Sequence, residues 1–298
     1  MTRFAAASLD LSNLPPPEVL TPLDYEARLK ILRDALVARF PAIAGVIDLE
    51  SELSRKLLEV FAYYEVTDAA AINDASRARM LAFASGGDLE HLGAFYGVAR
   101  RTLTPATADA PAVRESDAEL RRRIQIAPDA FNTAGAAGAY VHHALEASAE
   151  IVDVGLIVPA PGRVDVILLS RLGDGTPSTK ARAAVRERLL RDDVKPLTVD
   201  VTVRGVTVVS FKIRLRLHLK PGPDLTLVRA AAEKALDVML ASRRRIGEAI
   251  PTSAIIAAAH VSGVDFVEML EPTASVEVGL DQVANCAQRL VDTTIDDD

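Results

Sequence analysis

The residues of this chain that could do chemistry are a glycine-rich loop and a histidine pair. The loop Gly173–Ser178 follows a predicted strand and precedes a predicted helix, as phosphate-binding loops do. It lacks both the third glycine of a dinucleotide fingerprint and the Gly-Lys-Ser/Thr ending of a nucleotide-triphosphate loop. His142 and His143 are adjacent, so on a helix their side chains point about 100° apart and cannot easily share one metal ion. The sequence therefore predicts a tight turn with a helix cap, and no cofactor or metal.

No other set of residues indicates catalysis. Cys286 is the single cysteine, and no zinc-type spacing or Gly-x-Ser-x-Gly nucleophile elbow is present. Carboxylates are numerous, but nothing in their spacing singles out a pair. The runs Arg121–Arg123 and Arg243–Arg245 lie in the carboxyl-terminal halves of predicted helices, where cations complement the helix dipole. We therefore expect solvated or salt-bridged faces there, with partner contacts second and nucleic acid a distant third.

Composition excludes several classes of protein. The 298 residues include 34 basic and 41 acidic side chains, giving a net charge of -7, which argues against a duplex-binding protein. The sequence contains no run of about 18 apolar residues, so we expect no transmembrane helix. The amino-terminal residues contain no apolar segment long enough for a signal peptide. One cysteine cannot form an internal disulfide, so the chain either suits a reducing compartment or does not depend on redox state. Aromatic residues are only 4% of the chain, so burial must depend on Ala, Leu, Val and Ile.

The first hundred residues predict helices that carry apolar stripes. Residues 1–23 contain Pro15–Pro17 and predict either an extended arm along a neighbour or, equally, a loose tail. Asp24 caps a helix that Pro41 ends, and a long helix is expected over about 48–83. The first helix carries a narrow stripe and the second a wide one (Leu29, Leu32 and Leu36; Leu53, Leu57, Val60 and Phe61). Because one short helix cannot cover the wide stripe, either a returning helix at 88–97 or a second chain must cover it.

The remainder predicts alternating helices and strands. Strands at about 151–158 and 164–169 flank a hairpin turn, and a long strand at about 206–219 alternates apolar and polar residues. The predicted fold class is α+β, with antiparallel or mixed sheets. The expected domains are an extended arm (1–23), a helical bundle-forming region (24–100), a first α/β unit (115–204) and a second α/β unit (205–298).

Three consecutive blocks of sequence carry a family resemblance. They are SGGDLEHLGAFYGVARR (Ser85–Arg101), ESDAELRRRIQIAPDAF (Glu115–Phe131) and FNTAGAAGAYVHHAL (Phe131–Leu145). In order and wording they resemble the baseplate assembly protein J family of contractile-tailed bacteriophages. Further matching blocks extend over nearly the whole chain, including Leu168–Ser178 and Ile250–Met269. The chain departs from larger relatives after Arg101, where many of them carry an inserted β-rich domain.

The resemblance implies a structural part of a particle, without catalysis. In that family two copies per wedge join, in six wedges, into a ring around the tail hub. The amino-terminal helices bundle with each other and with a neighbouring wedge protein of the tail protein I type, alongside other baseplate and hub proteins. Ring widening is expected to trigger sheath contraction. The implied location is the virion tail baseplate, after assembly in the host cytoplasm, with no nucleic acid bound and no membrane insertion.

Two sets of residues follow as expectations. The stripes named above are the candidate partner interface. Two copies in non-equivalent environments require a hinge, for which Gly205 and Pro221-Gly222 are the candidates. The competing interpretations are a soluble enzyme of unidentified chemistry, which needs a deep pocket with perturbed carboxylates, and a head-completion or adaptor protein of the same phage.

Overall fold

Two compact units make up this protein. The computed structural model describes residues 11, 14–15, 17–132, 135–196, 198–220, 222 and 224–295. The helical unit comprises the described residues of Leu9–Arg100 together with Ser116–Ile124. The α/β unit comprises Arg101–Glu115 and the described residues of Gln125–Asp298. The predicted α+β class is confirmed.

The helical unit contains α1 (Tyr25–Arg39), α2 (Leu53–Ala78), α3 (Gly86–Ala94) and most of α4 (Asp117–Ile126). The Asp24 side chain accepts a hydrogen bond from the Ala27 amide, at 2.9 Å, so the predicted cap of α1 is confirmed. The long helix is shorter than predicted at both ends. A 3-10 turn at Pro41–Ile43 and further turns occupy its expected start, and Glu52 caps the helix by accepting from the Ser54 amide.

The core of the helical unit lies where α3 and α4 meet. Leu89, Leu120 and Ile124 are almost fully buried there. Gly93 permits this close packing, because a Cβ at that position would lie 2.5 Å from the Val98 carbonyl oxygen and 3.2 Å from Ile124 Cδ1. Any larger residue at position 93 would therefore force these elements apart.

The α/β unit begins with a short hairpin, β1 (Thr102–Thr104) and β2 (Val113–Arg114), and then forms its first three-stranded sheet. The elements of that layer are α5 (Ala137–Ala147), β3 (Ile151–Ala160), β4 (Arg163–Ser170), α6 (Thr179–Leu189) and β5 (Asp200–Gly205). The strand order is β3-β4-β5, antiparallel and then parallel. Apolar side chains of α5 and α6, including Val141 and Val185, form a core with the sheet.

The second sheet is built around one long strand. Its elements are β6 (Thr207–Leu219), α7 (Leu225–Arg243), α8 (Thr252–Ala259), β7 (Val264–Glu271) and β8 (Gln282–Ile295). The strand order is β7-β6-β8; β6 runs antiparallel to β7 and parallel to β8. Alternate residues of β6 are buried, in agreement with the predicted half-exposed strand. Strand β8, of 14 residues, pairs with β6 along its whole length.

A small shared core joins the two sheets. Ile167 and Leu169 of the first sheet pack with Val283 of the second sheet and with Ile246, which lies between α7 and α8. The Asp153 carboxylate, itself buried, accepts a hydrogen bond of 3.0 Å from the Ile246 amide. The sheets therefore belong to one compact unit, held by apolar contacts and by a buried polar bond.

The hinge candidates lie at different points of this unit. Gly205 ends β5 opposite Leu168, and a Cβ on Gly205 would lie 3.0 Å from Pro177 Cδ. Gly222 has a φ of +130°, which favours glycine. Pro221 lies outside the described residues. Bending at any of these positions stays a prediction, as do the proposed domain boundaries.

Candidate interaction surface

One face of α2 is an exposed row of large apolar side chains, here named the α2 patch. It consists of Leu53, Leu57, Val60, Phe61 and Tyr64, whose exposed fractions range from 51% to 71%. The spacing of three and four residues places them on one side of the helix. A soluble helix normally turns such a stripe toward a core. Because this apolar face is open, the α2 patch is a candidate site for a partner.

The opposite face of α2 is covered by α1 and by the chain that precedes it. Ala62 is fully buried on that face, and the Tyr25 hydroxyl of α1 donates to the Glu59 carbonyl oxygen at 3.5 Å. The predicted narrow stripe on α1 is half-buried, because Leu29, Leu32 and Leu36 are each partly covered. Leu29 lines a cleft between the two helices together with Leu58.

The two predicted stripes therefore differ in the structure. Within the described residues of the helical unit, the narrow stripe on α1 is partly buried. The wide stripe stays exposed, at Leu53, Leu57, Val60 and Phe61. Tyr64 extends the wide stripe by one turn. Neither α1 nor α3 supplies the cover that the wide stripe would need. That these residues form an interface between chains stays a prediction.

Charges beside the α2 patch are paired within the helix. Glu59 accepts from Lys56 Nζ at 3.2 Å and from Arg55 Nε at 3.0 Å. The hydrogen bonds from Lys56 and Arg55 hold the pKa of Glu59 below its ordinary value of 4.5. An apolar centre with a charged rim is the usual anatomy of a protein interface.

A polar clamp fixes the segment that leads into the helical unit. Asn73 of α2 is 3% exposed, and its side-chain amide meets the backbone of Thr21 in two hydrogen bonds. Asn73 Oδ1 accepts from the Thr21 amide at 2.9 Å, and Asn73 Nδ2 donates to the Thr21 carbonyl oxygen at 2.8 Å. Sequence reasoning missed this clamp. The available signal was an asparagine on the helix face opposite the exposed stripe.

An arginine links the elements around α3. The Arg100 guanidinium donates to Glu90 at 2.7 Å, to Asp117 at 2.5 Å and to the Gly86 carbonyl oxygen at 3.3 Å. The hydrogen bonds from Arg100 and from the Gly86 amide keep the pKa of Asp117 below its ordinary value of 3.8. This network was not predicted, because residues 90, 100 and 117 have no recognisable spacing.

The first arginine run has a structural role. Arg121 donates to the carbonyl oxygens of Leu81 and Ala84, at 2.7 Å each, and so satisfies the backbone before α3. Arg123 is buried and donates to the Ala99 carbonyl oxygen at 3.2 Å. Of the second run, Arg244 donates to the Gly173 carbonyl oxygen at 2.6 Å. These arginines donate hydrogen bonds to backbone carbonyl oxygens. The two arginine runs in the sequence did not predict this role.

The glycine-rich loop is occupied by a carboxylate of the same chain. Glu150 accepts from the Ser178 amide and hydroxyl, at 2.6 Å each, and from the Ser170 hydroxyl at 3.1 Å. Burial disfavours ionisation of Glu150, but these hydrogen bonds lower its pKa below 4.5 nevertheless. Ser178 also caps α6 by accepting from the Ala181 amide. An anion therefore already lies at this helix start, in agreement with a turn and cap.

The remaining candidates for chemistry are dispersed. His142 and His143 lie on α5 with their rings edge to face, and burial lowers the pKa of His143. Among the described residues, no three His, Cys, Asp or Glu side chains converge as metal ligands. None of the helices in the described ranges is both long and apolar enough to span a membrane.

Comparison with known proteins matches successive parts of the chain to domains of one family. Residues 50–107 match the Baseplate J-like N-terminal domain, residues 132–205 the Baseplate J-like central domain, and residues 210–288 the Baseplate J-like protein C-terminal domain. The chain is 39% identical over 294 residues to baseplate protein J of Escherichia phage P2, covering 96% of this chain and 97% of that protein.

A solved chain from the anti-feeding prophage baseplate, 6-fold symmetrised, is 19% identical at a TM-score of 0.41. It matches 61% of this chain, which in turn spans 44% of the solved chain's length. The family matches and the phage P2 relative confirm the resemblance predicted from the sequence blocks. The chain therefore belongs to the baseplate J-like family and is a structural protein of the tail baseplate.

Proposed function

We propose that this chain is a wedge subunit of a contractile-tail baseplate. In this role it joins a ring around the tail hub and transmits the conformational change that triggers sheath contraction. It works through contacts between chains and carries out no catalysis. Family membership supports the baseplate setting, and the exposed α2 patch is the observation that carries the wedge assignment.

The α2 patch is suited to a helical bundle formed between chains. Helix α2 is covered on one face by α1 and is apolar on the other, so it can lie at the centre of a larger bundle. The partners we assign are a second copy of this chain and a neighbouring wedge protein of the tail protein I type. Other baseplate and hub proteins then complete the ring, in the virion tail, after assembly in the host cytoplasm.

Non-equivalent positions for two copies in one wedge would require the chain to adapt. We place that adaptation at Gly205 or at Pro221-Gly222, beside β6. In an assembled baseplate the two copies should then superpose well on each side of one of these positions and poorly across it. Two copies that superpose as rigid whole chains would contradict the hinge and leave the wedge role intact.

Immunogold electron microscopy of tail particles from an induced lysate tests the function. Antibody raised against the full chain should label the distal end of the tail, in the plane of the baseplate. Preabsorbing the antibody with purified chain should remove the label. Particles without label, with the chain free in the soluble fraction, would refute the proposed function.

A further inference from the structure

The exposed face of α2 continues past the α2 patch and changes in character along its length. An α-helix turns by about 100° per residue, so Ala71 and Ala75 lie on the same side of α2 as the α2 patch. Both alanines are exposed. The buried Ala62 lies on the opposite side of the helix. One open face therefore carries large apolar side chains in its first half and alanines in its second half.

A groove between α2 and α3 lies beside these alanines. It has a volume of about 550 Å³, and its lining includes Ala75 and Ala78 of α2 and Leu92 and Phe95 of α3. Phe95 is 82% exposed, so the wall that α3 contributes is apolar and open. The second half of the α2 face is therefore a recess, whereas the first half presents the kind of large side chain that could fill one.

We propose that, in the free protein, α2 pairs with α2 of a second copy of this chain, antiparallel and across a two-fold axis. In such an isologous pair residue i contacts residue j, and j contacts i. With the axis beside Val66, Leu57 of each copy lies opposite Ala75 of the other, and Phe61 lies opposite Ala71. Each large side chain then meets an alanine, and Leu57 enters the groove of the other copy. Large residues facing small ones are what close packing of two helices requires.

A parallel pair of the same two faces would fit poorly. It would set Leu57 against Leu57 and Phe61 against Phe61, and it would leave alanine against alanine with the groove unfilled. It would also bring together the two carboxylates of Asp68, an exposed residue of this face. In the antiparallel pair Asp68 instead lies opposite Tyr64, whose hydroxyl is a hydrogen-bond donor. The face is thus complementary to itself in the antiparallel arrangement, and this selects a second copy as its occupant.

Charges along one edge of the face support the same register. Eighteen residues, or about five helical turns, separate Lys56 from Asp74, so both lie on the same edge of α2. A two-fold axis sets that edge against itself, and Lys56 of one copy then lies within two residues of the position opposite Asp74 of the other. In the free chain each makes an exposed ion pair within α2, Lys56 with Glu59 at 3.2 Å and Asp74 with Arg77 at 3.4 Å. The pair of helices adds an opposite charge beside each of them.

Disulfide trapping in the full-length chain tests the register. Cys286 is first replaced by alanine, which removes the native thiol. Leu57→Cys/Ala75→Cys should then give a covalent dimer on oxidation, since a disulfide joins Cα atoms within about 7 Å. Either single variant should not, because the two copies of one position lie about 27 Å apart in the antiparallel pair. Positions 57 and 75 of one chain are also about 27 Å apart, so the disulfide must join two chains. Ala230→Cys/Ala241→Cys, at exposed positions of α7, is the matched control for random collision.

Sedimentation equilibrium gives a second measurement on the same chain. Ala75→Leu should weaken self-association by about 10- to 100-fold, because the added side chain overpacks both symmetric contacts. Adding Leu57→Ala to that variant should recover most of the loss, since each contact again has one large and one small residue. Ala230→Leu, which enlarges an exposed alanine of α7, should associate like the wild type. Circular dichroism of each variant checks folding.

Three outcomes overturn the proposal. They are a chain that stays monomeric at every concentration measured, a Leu57→Cys/Ala75→Cys variant that dimerises no faster than the α7 control, and single-cysteine variants that dimerise as fast as the double variant. The last outcome would indicate a parallel pair. The inference rests on the proposed function in that it assigns a second copy, and its orientation, to the α2 patch. The two fail separately, because a chain that labels the baseplate but does not pair with itself keeps the wedge role and leaves the α2 patch to another tail protein.

Discussion

Replacing Leu57 by glutamate should separate folding of the chain from its assembly. Leu57 is 51% exposed in the α2 patch, and glutamate is a good helix former. The free energy of unfolding should therefore change by no more than about 0.5 kcal/mol. If the patch is buried by a partner, the remaining half of the leucine surface contributes about 1–1.5 kcal/mol to binding.

The carboxylate adds a larger penalty than the lost leucine surface. Burying an unpaired carboxylate costs several kcal/mol, so the total loss of binding free energy should exceed about 3 kcal/mol. Because about 1.4 kcal/mol corresponds to a tenfold change, affinity should fall more than about 100-fold. Ala35→Glu is the matched control, since residue 35 is exposed on α1, away from the α2 patch.

The assay is co-purification with the other tail proteins of the same particle. Tagged wild type, Leu57→Glu and Ala35→Glu are each co-expressed with those proteins, and the captured partners are quantified. Thermal unfolding followed by circular dichroism is measured on the same preparations. Partner capture at wild-type strength by Leu57→Glu would refute the interface. Unfolding of Leu57→Glu would instead show that the patch belongs to an intramolecular core.

Three further variants test the inner contacts of the helical unit. Leu32→Glu should destabilise this unit by about 1–3 kcal/mol, because Leu32 is half-buried, and should lower its melting temperature, unlike Leu57→Glu. Asn73→Ala should release Thr21, with backbone amide exchange there about 5- to 30-fold faster by mass spectrometry; unchanged exchange would contradict the clamp. The pKa of Asp117 is lowered in the fold, so its contribution is present above pH 3.8 and lost as the pH falls below that value. Asp117→Asn should remove that part of the acid dependence in a pH titration of unfolding, and an identical titration curve would contradict it.

Local signals in the sequence predicted local structure well. Asp24 could be recognised as a cap because its position before an apolar stripe has a simple geometric meaning. The alternation along β6 was equally clear, because period two places alternate residues on opposite faces. Proline at position 41 ended α1 as expected. In each case the deciding interaction lies within a few residues.

Features decided by distant residues could not be predicted in the same way. The start of α2 was placed too early because Leu49 continues the apolar spacing, whereas turns occupy that segment and Glu52 caps the helix. The Asn73 clamp joins positions 52 residues apart. The Asp153 bond links β3 to the turn after α7, at positions 93 residues apart. A single polar residue in the sequence can suggest that it is buried, but it does not identify its distant partner.

The candidate interface was predicted only as a set of residues with two possible covers. The apolar stripe on α2 is wider than the contact face of one short helix, which predicted that α1 alone would not bury it. Leu57 and Phe61 are indeed exposed. The sequence could not decide between a returning helix and a second chain, since both bury the same residues. The structure leaves these side chains exposed in the isolated chain, which favours the second chain as the cover.

The aromatic side chains also lie mainly on the surface, where other chains could bury them. Of the twelve aromatic side chains that the structure describes, only Tyr140 and Phe211 are buried, whereas nine are exposed. Seven of the nine belong to the helical unit: Phe40, Phe61, Tyr63, Tyr64, Phe83, Phe95 and Tyr96. Aromatic residues are enriched in protein interfaces, where large rigid side chains provide most of the binding free energy. A chain that builds its cores from aliphatic residues and leaves its few aromatics outside has a surface suited to assembly. The helical unit is therefore the part of this subunit whose apolar surface most needs other chains to cover it.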